Sequence, residues 1–120
     1  MTITDRTEEW LEEVQMEAAQ RLLRAAFTLQ TEMKINLSTA YPPASVPGEY
    51  PHGRTWNGRD SLVVMPETAR EIMQLGYVRV GYLPAAWYMP YLEIERGRLG
   101  LLLCYSQMFD ELQKIIAGYD

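Results

Sequence analysis

Cysteine and histidine occur once each in the 120 residues, as Cys104 and His52. One thiol cannot close a disulfide within the chain. One thiol and one imidazole cannot build a His/Cys zinc or iron centre inside a single subunit. Lysine is nearly as scarce, with two against nine arginines. The formal net charge is −5, the wrong sign for a basic nucleic-acid groove. Long apolar runs are missing as well: the longest, near Leu99–Tyr105, falls far short of the ~20 residues a membrane helix needs. No apolar stretch follows a basic one near the start, so no secretory leader is expected, and the Asn36-Leu37-Ser38 triplet carries no glycosylation meaning. These absences point to a soluble protein kept in a reducing cytoplasm.

What is present suits a globular chain, at 48% hydrophobic and 22% charged residues, and the length suits a single domain over residues 1–120. The charge is uneven. Residues 1–20 hold Asp5, Glu8, Glu9, Glu12, Glu13 and Glu17 against Arg6, which accounts for the whole net charge, while the rest of the chain balances. The preference for arginine suits an interface, because its planar fork hydrogen-bonds in pairs and stacks on aromatics, and codon or genome bias explains it equally well.

The spacing predicts one long helix over 7–36. Trp10, Val14, Ala18, Leu22, Ala25, Leu29 and Met33 recur at three- and four-residue steps, and Asp5 or Thr7 is placed to cap the start. Glu17 and Arg21 form a favourable pair one turn apart. Residues 38–58 then carry four of the seven prolines and three glycines, with Tyr41, Tyr50 and Trp56 interleaved. That proline density excludes a helix or central strand. The aromatics call for a surface to cover, so an extended arm ordered against something else, such as a neighbouring subunit, is expected. Ser61-Leu62-Val63-Val64 reads as a strand, Pro66 to Gly76 as a short helix, and Tyr77–Leu83, with Val78, Val80 and Tyr82 on one side, as a half-buried strand. Residues 85–95 fit a helical turn or a strand equally well. Tyr105, Met108, Phe109, Leu112, Ile115, Ile116 and Tyr119 fall on one helical face, with Gly118 as the stop. The predicted class is α+β: a long N-terminal helix, a small and mostly antiparallel sheet, a C-terminal helix, and the Pro/Gly-rich arm.

Chemistry-bearing groups are few. His52 sits between Pro51 and Gly53 without an orienting partner nearby and reads as an exposed loop histidine. Cys104 lies in an apolar run, where a thiol behaves as a small hydrophobe. Glu93 and Glu95, near Arg96 and Arg98, would share a face on a strand, as an acid pair or as an exposed ion-pair rim, the latter being favoured. No phosphate-binding glycine fingerprint is present: Gly97-Arg98-Leu99-Gly100 has too few glycines and the wrong context. No enzyme signature, metal site or cofactor site emerges.

Two blocks carry a resemblance. Pro47-Gly48-Glu49-Tyr50-Pro51 followed by Thr55-Trp56-Asn57-Gly58-Arg59-Asp60-Ser61-Leu62 resembles the Pro-Gly-x-Pro-Pro loop and Thr-Gly-x-Leu-x-x-Ser-Ile strand entry of small head–tail-junction (neck or tail-completion) proteins of long-tailed bacteriophages. Val78-Arg79-Val80-Gly81 and Tyr88-Met89-Pro90-Tyr91-Leu92-Glu93-Ile94 resemble that family's Val-x-Val-Gly strand and Tyr-rich turn ending in a Glu-hydrophobic pair. The order of elements covers nearly the whole chain. Trp56 stands at the family's glycine, Gly58 at its leucine, Tyr50 at its second proline, and Glu95 at the glycine that follows the Glu-hydrophobic pair.

The resemblance implies a structural role with no catalytic residues. Six or twelve copies would form a ring joining the portal or connector to the tail tube, in a neck, tail-completion or tail-terminator position. Adjacent head-closure and tail-tube proteins would be partners, and DNA would pass through without sequence-specific binding. The place implied is the virion, with the host cytoplasm during assembly, and no membrane. Pro47, Gly48, Tyr50 and Pro51 would shape the arm, Arg54, Trp56 and Arg59 would dock it, and Tyr88, Tyr91 and Glu93 would form a second contact patch, with core packing an equal alternative for the two tyrosines. Glu8, Glu9, Glu12 and Glu13 would face the channel or an adjoining ring, where acidic walls keep phosphates from sticking; from the residues alone a plain solvated helix face is the favoured reading. The competing expectation is a small cytosolic enzyme or ligand-binding domain built on Glu93, Glu95 and Arg98.

Overall fold

A computed structural model describes residues 3–40, 43–53 and 56–118, with the side chains of 3–5 left aside. Helix α1 runs Ile3–Asn36. It starts earlier than its sequence pattern predicts, so Asp5 and Thr7 lie inside it and not at a cap. A helical turn α2 (Asn57–Asp60), strand β1 (Leu62–Met65), helix α3 (Ala69–Leu75) and strand β2 (Arg79–Tyr82) follow. A 3₁₀ turn at Pro84–Ala86 leads into helix α4 (Tyr88–Glu95), and α5 (Leu101–Ala117) completes the order. This is the α+β class, with a sheet of two antiparallel strands pairing Leu62 with Tyr82 and Met65 with Arg79.

Local chemistry explains the boundaries. Thr68 caps α3 by accepting the Glu71 N–H at 3.3 Å, so the helix begins after Pro66 and Glu67 and not on them. Gly76, at φ 82°, ends it in the left-handed conformation. Residues 88–95 settle as helix because their backbone hydrogen bonds run on to Arg96 N–H, which donates to the Leu92 carbonyl.

The core is a layer between the second half of α1 and α5. Ala25, Leu29, Met33 and Leu37 meet Leu62, Ala86, Met89, Cys104, Leu112 and Ile115. The helices run antiparallel: the Asn36 amide reaches the Cys104 sulfur at 3.6 Å at one end, and the Arg21 side chain lies against Gly118 at the other. Because α5 ends opposite Arg21, the first eighteen residues of α1 extend past it, roughly 27 Å at 1.5 Å per residue. The radius of gyration, 17.9 Å, exceeds the ~14 Å of a compact chain this size, and the long axis is 66 Å. That projection exposes Trp10, Leu11 and Val14, which their periodicity assigns to the buried stripe.

Helix α5 starts at Leu101, four residues before Tyr105, the first residue of its apolar pattern, and that apolar face is split. Cys104, Leu112 and Ile115 are buried, whereas Tyr105, Phe109 and Ile116 face outward. The stripe is wider than α1 alone can cover.

Candidate functional site

The irregular segment does not reach away from its own subunit over the part described. Residues 43–53 fold back onto the turn between α4 and α5. The Gly48 N–H donates to the Gly97 carbonyl and the Leu99 N–H to the Glu49 carbonyl, both at 2.8 Å. Arg98 pins the loop with Nε on the Ser45 hydroxyl (2.9 Å) and Nη2 on the Ser45 carbonyl (2.6 Å), and its Nη1 donates to the Arg96 carbonyl at 3.0 Å. The Gly53 N–H closes the base of the loop on the Thr39 carbonyl at 2.7 Å. The expectation of an extended arm is corrected accordingly: backbone donors and acceptors of the connection satisfy those of the loop, and proline spacing does not reveal such pairings.

Within this loop the predicted contact residues part ways. Pro47 and Gly48 are exposed, and Gly48 takes φ 93°, a turn that suits glycine. Pro51 is buried and Tyr50 packs against the core, so these two act inside their own subunit. The Tyr50 hydroxyl is enclosed with no hydrogen-bond partner among the described residues. Burial first, then the nearby Cys104, Glu32 and Glu93, holds that hydroxyl neutral beyond the usual tyrosine range. Tyr82 shares this environment and is pushed further in the same direction by burial and by Glu93. His52 is not the exposed histidine expected: its side chain is only 9% exposed. Its Nδ1 lies 2.6 Å from the Pro43 carbonyl, which accepts only, so Nδ1 carries the proton and Nε2 faces Glu49 at 3.9 Å. Arg54 lies outside the described residues.

The two sequence blocks meet at α2. Asn57 Nδ2 donates to the Ala85 carbonyl (3.0 Å) and the Tyr88 hydroxyl (3.3 Å), and Gly58 is buried under the Met89 side chain. The Leu83 N–H donates to the Ser61 carbonyl at 2.8 Å, joining the strand entry to the exit of β2. Trp56 introduces the turn at φ 63°, ψ 11°, the left-handed region that a bulky side chain seldom occupies. Arg59 stacks over its ring at 4.1 Å. Around them a shallow cleft of about 250 Å³ is lined by His52, Trp56, Arg59, Tyr88 and neighbours. Tyr88 is half-buried against the core, and Tyr91 is exposed with Arg96 Nε donating to its hydroxyl at 3.1 Å.

Glu93, Glu95 and Arg98 are not gathered into a pocket. The two glutamates sit on a helix, where residues two apart point to different sides, and not on a strand. Glu93 lies over Gly100, Glu95 is exposed, and Arg98 is committed to the loop. Cys104 is buried as expected, its thiol pushed up chiefly by burial. Glu8, Glu9, Glu12 and Glu13 are exposed on the projecting half of α1. Among the described residues no group of three metal-ligating side chains forms, and no helix is long and apolar enough to cross a membrane.

A larger surface escaped the residue-by-residue reading. A groove of about 830 Å³ opens between β2, α4 and α5 over a floor of α1. Leu22, Ala25 and Leu29 form the floor, Val78, Val80 and Tyr82 one wall, and Ile94, Leu102, Tyr105, Phe109 and Ile116 the rest. Ile94 and Leu102 are 76% and 72% exposed, more than scattered surface residues require. The signal was in the sequence: Leu101-Leu102-Leu103-Cys104 is apolar round a full helical turn, more than packing on one side of the helix covers.

Comparison with known proteins finds no matching family model, no matching curated protein and no matching solved structure.

Proposed function

We propose that this chain is a virion structural protein that forms a ring at a bacteriophage head–tail junction, joining the connector to the tail tube and surrounding the DNA channel. The observation that carries this reading is Trp56. It occupies the position where the resembled family has glycine, and it adopts a backbone conformation natural to glycine. A left-handed turn at that point is one that glycine adopts without strain, and here tryptophan adopts it. The meeting of the two resemblance blocks, through Asn57 on the Tyr88 hydroxyl and Gly58 under Met89, adds to this support. The role is assembly and not catalysis, with further copies of the same chain, a head-closure protein and a tail-tube protein as partners. The projecting, acidic half of α1 suits a surface beside DNA that must slide and not bind, with Glu8, Glu9, Glu12 and Glu13 turned to the channel or to the next ring.

The test is composition. Quantitative mass spectrometry of purified tailed particles from the genome that encodes this chain should find it at a fixed low copy number, about six or twelve per particle. Particles that join heads to tails without containing it overturn the proposal.

A further inference from the structure

Two apolar surfaces of one chain lie uncovered among the described residues. The projecting half of α1 carries Trp10, Leu11 and Val14, 61%, 46% and 44% exposed, with Ala18 completing the stripe. Among the described residues no element covers the groove over the other half of α1. We propose that residues 7–18 of α1 seat in this groove on a second copy of the chain, head to tail.

Three observations select this occupant. The stripe has the spacing of a helix that anchors in a groove, with apolar positions at i, i+1, i+4 and i+8. Its acids, Glu8, Glu9, Glu12, Glu13 and Glu17, fall on the remaining arc and stay in solvent. Second, the stripe cannot fill its own groove. Leu22 of the floor lies on the same helix, about 18 Å further along at 1.5 Å per residue, and a continuous helix cannot fold back on itself. Third, the area is of the right order. Trp10 alone presents roughly 150 Å² at that exposure, since tryptophan offers up to about 250 Å². With Leu11, Val14 and the five exposed groove residues the apolar surface is on the order of 800 Å², and polar rims extend it toward the ~1,200 Å² at which specific interfaces begin. Each copy offers one stripe and one groove, different surfaces, so a contact leaves one of each free. That is the heterologous arrangement that closes into rings or continues as filaments.

The proposal deepens the ring reading, and its test separates the two. Two exposed-site variants are made, Trp10→Ser with Leu11→Ser on the stripe and Ile94→Asp with Leu102→Asp in the groove, and their folds are checked by circular dichroism. Sedimentation across concentration should give wild-type species larger than two copies. Each variant alone should remain monomeric, with self-association weakened at least about 30-fold, the loss expected of a central aromatic anchor. Mixed, they should form a one-to-one heterodimer and nothing larger, because one intact stripe meets one intact groove. A mixture that stays monomeric, variants that assemble like wild type, or a wild-type protein that stops at one or two copies overturns this docking. If the variants still form closed rings, the ring reading survives and only this contact is lost.

Discussion

Two leucines on one helix make the sharpest comparison. Leu112 is 5% exposed in the core, and Leu102, ten residues earlier on α5, is 72% exposed at the groove. Truncating each to alanine is the same chemical change. At Leu112 it removes about three buried carbon groups, near 2.4 kcal/mol of transfer energy at ~0.8 kcal/mol each, and leaves a cavity, so about 3 kcal/mol in all is expected. At Leu102 little more than a quarter of that transfer energy is at stake, and alanine's better helix propensity offsets part of it, leaving about 0.5 kcal/mol. With unfolding entropy near 2.1 cal/mol/K per residue, roughly 0.25 kcal/mol/K for this chain, the melting temperature should fall by about 12 °C for Leu112→Ala and about 2 °C for Leu102→Ala. The assay is thermal unfolding by circular dichroism in dilute protein, since any assembly adds stability by mass action. Equal shifts would refute the reasoning, because they would mean that the groove is closed in the monomer.

Other consequences follow from single contacts. Tyr50→Phe removes an enclosed hydroxyl that has no partner among the described residues and should raise stability by about 1 kcal/mol in urea titration; a loss would reveal a partner for it. Tyr82 is held neutral above its unfolded value, so the folded state binds the extra proton and stability should fall as pH rises above about 10, by at most about 1.4 kcal/mol per pH unit for that group. Tyr82→Phe should flatten that alkaline slope, and an unchanged slope would contradict the assignment. Arg98→Ala removes the hydrogen bonds that hold Ser45 to the α4–α5 turn, so limited proteolysis should cut within 43–53 many times faster while the helical signal is retained. Gly53→Ala would place a methyl group inside the Trp56 ring, so the indole and its Arg59 contact must move, and tryptophan fluorescence should report it.

Much of the fold was legible because it rests on local rules. The run of apolar steps through Leu22, Ala25, Leu29 and Met33 marks α1, the glycine at 76 ends α3, and the alternation through Val80 and Tyr82 marks β2, which at Arg79–Tyr82 is shorter than the Tyr77–Leu83 run its pattern suggests. Less legible were features set by distant partners. Trp10 and Leu29 obey the same periodicity, and only the length of α5 decides that one is solvent-facing and the other buried. Glu93 and Glu95 share a face on a strand but not on a helix, and the backbone bonds that select α4 are invisible in composition. The loop carrying Tyr50 has the prolines of a free arm, yet Gly97, Arg98 and Leu99 supply the bonds that fold it inward.

The most direct measurement is electron microscopy of lysates from the genome that carries this reading frame, with the frame deleted and then restored. The account predicts DNA-filled heads and finished tails that accumulate unjoined, or tails of abnormal form, and normal particles once the chain is supplied again. Heads and tails joined normally in its absence would contradict it.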